Sequence, residues 1–333
     1  MPFLKELRPK QLASGPGTAG SASTSASSFS KIHLGVRLLI GTGSLMTLII
    51  LALLAPVICP INSDIAPSHL NLATINLHPL SANHLLGTDY LGRDVLSQAL
   101  WGARATLSVS ILAAAIAASF GSIWGAFSAF VGGIVDGVMM RIVDGLLAIP
   151  NIILLLILNS IFSTPTLIKS FSPEIARLLG VNNYSFGVMP LVLVITVIAA
   201  TSWLEAARVA RAKVLALKSE EYLLAATSMG ASVIRTLRTH LLPNAASVIF
   251  VEATLLVSDA ILMESGLSFL GLGLGPSTPS WGTMLGSAQL SLMQGNWWSV
   301  LVPGLLITLT VGAISLLGEG LLELFGRSSL TIA

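Results

Sequence analysis

The sequence predicts an all-α membrane protein with six transmembrane helices, and three observations carry that prediction. Of its 333 residues 54% are hydrophobic and only 10% charged, with a mean hydropathy of +0.87. A soluble domain carries about 25% charged residues. The apolar residues stand in blocks of roughly 17 to 27, which suits a hydrocarbon core of about 30 Å. Lysines and arginines are spread unevenly among the connections, as the retention of positive charge on the cytoplasmic side requires.

Taken in order, residues 1–33 are expected to be a disordered cytoplasmic tail. Lys5, Arg8 and Lys10 precede SGPGTAGSASTSASS, which has no apolar face to bury against its ordering entropy. The tail lacks the apolar core and cleavage site of a signal peptide. Residues 34–104 hold the first span, 34–58, and an external loop. In that loop, within HLLGTDYLGRDVLSQALWGAR, Thr88 or Asp89 is expected to cap a short amphipathic surface helix braced by Arg93 and Asp94. The core, 105–321, begins with a second span at 105–131, rich in Ala, Gly and Ser as in a closely packed helix. A third span, 138–161, is interrupted by Pro150, and a loop-like stretch leads to a fourth at 187–203. The fifth is 244–263. The Gly/Pro-rich segment that follows, to residue 285, requires protein or a water-filled cavity around it. The sixth, 299–318, leads to a short cytoplasmic tail at 322–333.

Charge orients this array. With the N-terminus inside, only Arg93, Arg104, Lys169 and Arg177 of the 17 basic residues fall outside. Both termini are therefore placed in the cytoplasm. A net charge of +2 without a basic patch argues against a nucleic-acid partner. The single cysteine, Cys59, allows no internal disulfide and reads as an apolar filler.

Between the fourth and fifth spans lies a polar segment, 204–243, on the cytoplasmic side by this topology. Ser219 reads as an N-cap, with Glu220 and Glu221 in the first turn where carboxylates favour the helix dipole. Gly230 ends the short helix by taking the left-handed conformation that glycine adopts freely. Ala231 and Ser232 open a second helix, carrying Arg235 and Arg238, which stops before Pro243. The small side chains of Ala225, Ala226, Thr227 and Ser228 would let another protein approach the apex closely.

Leu224-Ala225-Ala226, then Gly230, then His240, Leu242 and Pro243 resemble the EAA loop of ABC importer permeases, with Leu224 where the motif has its glutamate. LLGTDYLGRDVLS, MRIVDGLLAIP, LSFLGLG, PSWGTML and PGLLITLTVGAISLLGEGL are similar to the dipeptide, oligopeptide and nickel permeases. They look like the second permease subunit of those systems, and the similarity runs from about residue 34 to 321. The resemblance implies a type I ABC importer permease fold in a bacterial inner membrane. It implies a second homologous permease, two ATP-binding domains and an extracytoplasmic substrate-binding protein as partners, beside membrane lipid. It implies also that Glu220, Glu221, Ala225, Ala226, Thr227, Ser228, Gly230 and Arg235 couple the chain to the ATPase, and that peptides are imported, or alternatively nickel or another small solute. ATP and Mg would be bound by the partners, for this chain has no G-x4-G-K-[ST] phosphate loop. A membrane-embedded enzyme or a scaffold without transport is the remote alternative, and no G-x-S-x-G elbow or HExxH helix supports an enzyme.

Glu252 and Asp259, seven apart in the fifth span, and Glu264 beyond them are candidates for the translocation path. Carboxylates inside a span cost about 2.5 to 3.5 kcal/mol and face a bundle interior or an aqueous cavity. Asp136, Arg141 and Asp144 are expected to pair with one another as an anchor. The five histidines form no close ligand pair, so no metal is assigned.

Overall fold

The computed structural model describes residues 19–60, 65–67, 69–81, 84–162, 188–218, 220, 242–275 and 278–330. Helix α1 spans Ala19–Ile58, and so begins fifteen residues before the predicted span. The Ala/Ser stretch expected to be disordered is helical from Ala19, because each residue added to a nucleated helix gains a hydrogen bond without a new nucleus. From Cys59 the chain enters a loop that packs as a cap on the bundle. Trp101 Nε1 donates to the Cys59 carbonyl at 3.0 Å and fixes where the loop starts.

Helix α2, Val95–Val131, has 37 residues and is capped by Asp94, whose Oδ2 accepts the Ser97 N–H at 2.7 Å. The expected short surface helix is thus the buried start of the second span. Nothing breaks the helical pattern after Asp94, and Val95, Ala99 and Ala103 join a core cluster with Trp281 and Trp298. Asp89 instead organises the loop. It accepts the backbone N–H groups of Leu91 and Arg93, each at 2.9 Å, then Arg93 Nε at 2.8 Å and Gln98 Nε2 at 3.1 Å. Gly92 (φ +73°) completes that turn, where a Cβ would stand 1.9 Å from the Asn71 carbonyl oxygen.

At the other end of α2, Gly132 (φ +71°) reverses the chain into α3, Gly133–Leu147. Pro150 then separates α3 from α4, Asn151–Phe162, and the pair bends by 91°. Helix α5 is Val188–Lys218 and α6 is Leu242–Phe269. Helix α7, Trp281–Met293, starts in a capping box of Ser280 and Thr283, and α8 spans Trp298–Leu330. The Gly/Pro-rich segment is therefore the last turns of α6, a reversal at Gly271 (φ +75°) and the start of α7. Helices α1, α2, α5, α6 and α8 are each long and apolar enough to cross a membrane, and the bent α3–α4 pair supplies a sixth, broken span.

Helix α2 is central, and its interface with α5 is the most extensive in the described fold. Small residues make it so. A Cβ on Gly121 would stand 2.3 Å from the Trp203 carbonyl oxygen, so the two backbones touch. Apolar side chains of α1, α3, α4, α6 and α8 remain exposed in stripes, as lipid or a partner helix would require.

Candidate functional site

Helix α5 does not stop at Trp203, where the polar segment was expected to begin. Leu204, Ala207, Ala210 and Val214 are buried at helical spacing, so one face of the segment continues the packed span down to Lys218. Its polar residues are set on the other sides of the same helix. Glu220 is exposed, and its N–H donates to the Leu217 carbonyl at 3.0 Å. The remaining coupling candidates (Glu221, Ala225, Ala226, Thr227, Ser228, Gly230 and Arg235) lie outside the described residues.

Two of the three path candidates share an environment. Glu252 is half-buried on α6, Asp259 is exposed two turns further along, and both lie within electrostatic reach of Glu205 on α5. Sequence reasoning missed Glu205, because Glu252 and Asp259 are 47 and 54 positions away in the chain; only the packing of α5 on α6 brings them together. Arg208 lies within reach of Glu205 as well. A cleft of about 640 Å³ opens here, lined by Asp144, Glu205, Arg208, Arg211, Glu252 and Met140 among others. Its lining sets three carboxylates (Asp144, Glu205 and Glu252) beside two guanidinium groups (Arg208 and Arg211). It holds no His or Cys among its described lining.

Glu264 is elsewhere, and the expectation that it lines the same path is corrected by its burial. It is fully enclosed, accepting from Thr106 Oγ1 at 3.0 Å and from Ser268 Oγ at 2.7 Å. Thr106 Oγ1 in turn accepts the Trp281 N–H at 3.2 Å, and Ser268 Oγ accepts the Leu274 N–H at 3.1 Å. This network ties α2, α6 and α7 together, so Glu264 is a brace. Leaving a buried hydroxyl without its partner costs about 1–3 kcal/mol. Glu264→Leu is therefore expected to lower the thermal unfolding temperature of the detergent-solubilised protein markedly, and Glu264→Gln much less. Equal, negligible shifts for both would show that the network does not hold the helices.

A second polar cluster lies where α5 ends. Asp136 was expected to pair with Arg141; it pairs with Arg211 instead, and Arg141 is exposed. The guanidinium is bidentate, with Nε to Oδ1 at 2.7 Å and Nη2 to Oδ2 at 2.6 Å. Ser128 Oγ donates to the same carboxylate at 2.5 Å. The reason is geometric: Gly132 turns α3 so that Asp136 faces α5 across the base of α2, where an i, i+5 partner on its own helix cannot reach it. Lys218 Nζ donates to the carbonyls of Ala129 and Phe130, at 3.0 and 3.1 Å. These are orphan acceptors at the end of α2, which a cation satisfies well.

Residues 118–329 match the family described as "Binding-protein-dependent transport system inner membrane component", a range that contains the cleft, the base cluster and the polar segment. The chain belongs to that family. It is 35% identical over 277 residues to the dipeptide transport system permease protein of Bacillus subtilis (strain 168), covering 83% of this chain and 77% of that one. The oligopeptide transport system permease protein of the same organism is 34% identical over 276 residues, 83% of this chain and 82% of its own. The di/tripeptide transport system permease protein of Pseudomonas aeruginosa (strain UCBPP-PA14) is 35% identical over 240 residues, 72% of this chain and 71% of its own. This inner-membrane component is thus a multi-pass transport subunit whose helical bundle is the type I importer permease fold.

Proposed function

We propose that this chain is one of two permease subunits of an ABC importer for di- and oligopeptides, moving its substrate by alternating access. The observation that carries this reading is the similarity to peptide permeases along 83% of the chain. The chain itself is non-catalytic. ATP and Mg belong to two ATP-binding domains, and an extracytoplasmic binding protein delivers the substrate to a second, homologous permease and this one. Both termini are cytoplasmic, which puts the loop of residues 59–94 outside and the segment after Lys218 inside. There Glu220, Glu221, Ala225, Ala226, Thr227, Ser228, Gly230 and Arg235 form the surface that docks the ATPase. Disruption of the gene should abolish uptake of a labelled dipeptide, and the tagged chain should copurify an ATPase. Normal peptide uptake in the disrupted strain would sink the reading.

Glu252, Asp259 and Glu205 face the translocation path in this reading and attract the ammonium group of a peptide. Asp259→Asn should raise the apparent KM for peptide uptake several-fold while leaving the complex assembled. The exposure of Asp259 makes its charge dispensable for the fold. Unaltered uptake kinetics would remove it from the path.

A further inference from the structure

We propose that Asp136, Ser128, Arg211 and Lys218 form a clamp that makes the ends of α2, α3 and α5 a single rigid body, so that a push on the segment after Lys218 moves three helices together. Arg211 and Lys218 act here as positioning residues for transport, through Asp136 and the carbonyls that end α2. The inference rests on the reading of that segment as the ATPase-docking surface, and it concerns how the movement enters the bundle.

The geometry points to a mechanical role. Lys218 is the last residue of α5, and Arg211 stands seven positions before it, two turns back on the same face. Their partners lie on two other elements. Lys218 holds the final carbonyls of α2, and Arg211 holds Asp136 on α3. A point-like ammonium bond alone would let the helices pivot. A planar guanidinium fork on a carboxylate fixes direction as well as distance, and removes that freedom. Ser128, on α2, donates to the same carboxylate, so Asp136 is shared by all three helices. Further along, α2 and α5 touch backbone to backbone at Gly125 and Gly121, against Ala207 and Trp203. The contact from Trp203 to Lys218 therefore runs for about 22 Å at 1.5 Å per residue. A helix anchored over that length cannot tilt without carrying α2.

The clamp sits beside the cleft, and Arg211 belongs to both. Glu205 and Arg208 lie on the same helix one to two turns from Arg211. Movement of the clamped body therefore moves α5's side of the cleft relative to Glu252 on α6, which rejoins the chain only at Leu242.

The test uses the full complex, with both permeases, the ATPases and the binding protein, reconstituted in proteoliposomes. Peptide transported per ATP hydrolysed is measured for Lys218→Ala and Asp136→Asn. Each should keep its ATPase bound and hydrolysing, while transport per ATP falls by about tenfold, a usual size for coupling between sites. Lys218→Arg, which still carries donors to the two carbonyls, should restore the ratio. Assembled variants with the parental ratio would overturn the proposal. If they fail to assemble, a bridge decides. Ala126 and Val214 share one buried cluster between α2 and α5. Ala126→Cys and Val214→Cys in a Cys59→Ala background, joined directly by oxidation to a disulfide, should leave transport near that of the reduced protein. Transport lost on bridging would mean that α2 and α5 slide past each other, and the rigid body would not exist. Failure of the docking reading is seen separately, as a parent complex from which no ATPase can be copurified.

Discussion

Gly125→Leu is expected to prevent the chain from accumulating as a folded membrane protein. A Cβ at that position would stand 2.0 Å from the Ala207 carbonyl oxygen and 2.8 Å from its carbon. Both are backbone atoms, so no side-chain rotation relieves the overlap. The helices must separate, and with them goes the contact that lets α5 follow α2 to its end. Overpacking of an interior costs about 1–3 kcal/mol where side chains can shift, and more where they cannot. The neighbouring Gly121 offers no relief, since it too is held against backbone. Size-exclusion profiles of the solubilised protein should show aggregate for Gly125→Leu and a reduced monodisperse peak for Gly125→Ala. A parental profile for the leucine variant would show that α2 and α5 do not approach as described.

Gly230→Asp is expected to have a comparable effect on transport with little effect on the amount of protein. In the sequence, Gly230 follows a run of small residues and precedes a second helical pattern, the place where a chain must turn sharply. Aspartate would add a Cβ where the sequence calls for a left-handed residue, and a negative charge to the proposed docking surface. The segment carries no span, so the bundle should still assemble in the membrane. Peptide uptake should fall by about tenfold or more, and substrate should no longer stimulate ATP hydrolysis. Undiminished stimulation with normal uptake would overturn the assignment of 204–243 as the coupling surface. Together with Gly125→Leu, this variant separates failure of the bundle from failure of what drives it.

Much of the bundle is legible in composition. The apolar blocks, the break at Pro150 and the small residues of the second span lead to the observed helices with errors mostly at their ends. Those errors have a common cause. Hydropathy marks where a helix is apolar, whereas Asp94 and Lys218 show that helices begin and end where caps and partners satisfy their backbone. The helical spacing of Leu204, Ala207, Ala210 and Val214 was present in the polar segment, but the charges between them obscured it. A count of apolar positions at i, i+3 and i+7 would have extended the fourth span correctly.

The carboxylates make the same point in chemical terms. Glu252, Asp259 and Glu264 look alike in sequence, each an acid in an apolar helix. In the bundle they part: Glu252 lines an open cleft with Glu205, Asp259 is exposed within electrostatic reach of Glu205, and Glu264 is enclosed by Thr106 and Ser268. Side-chain chemistry fixed that an acid in a span needs a special environment, and so pointed to all three.

The sequence alone determined that this chain is a helical membrane protein, how many spans it has and which family motifs it carries, because hydropathy, proline and charge bias act locally along a chain. Only the tertiary structure decided which charges meet. Asp136 and Arg211 are 75 positions apart, and Thr106 and Glu264 are 158 apart. No periodicity links residues at such separations; the pairing follows from which helices pack together in the bundle.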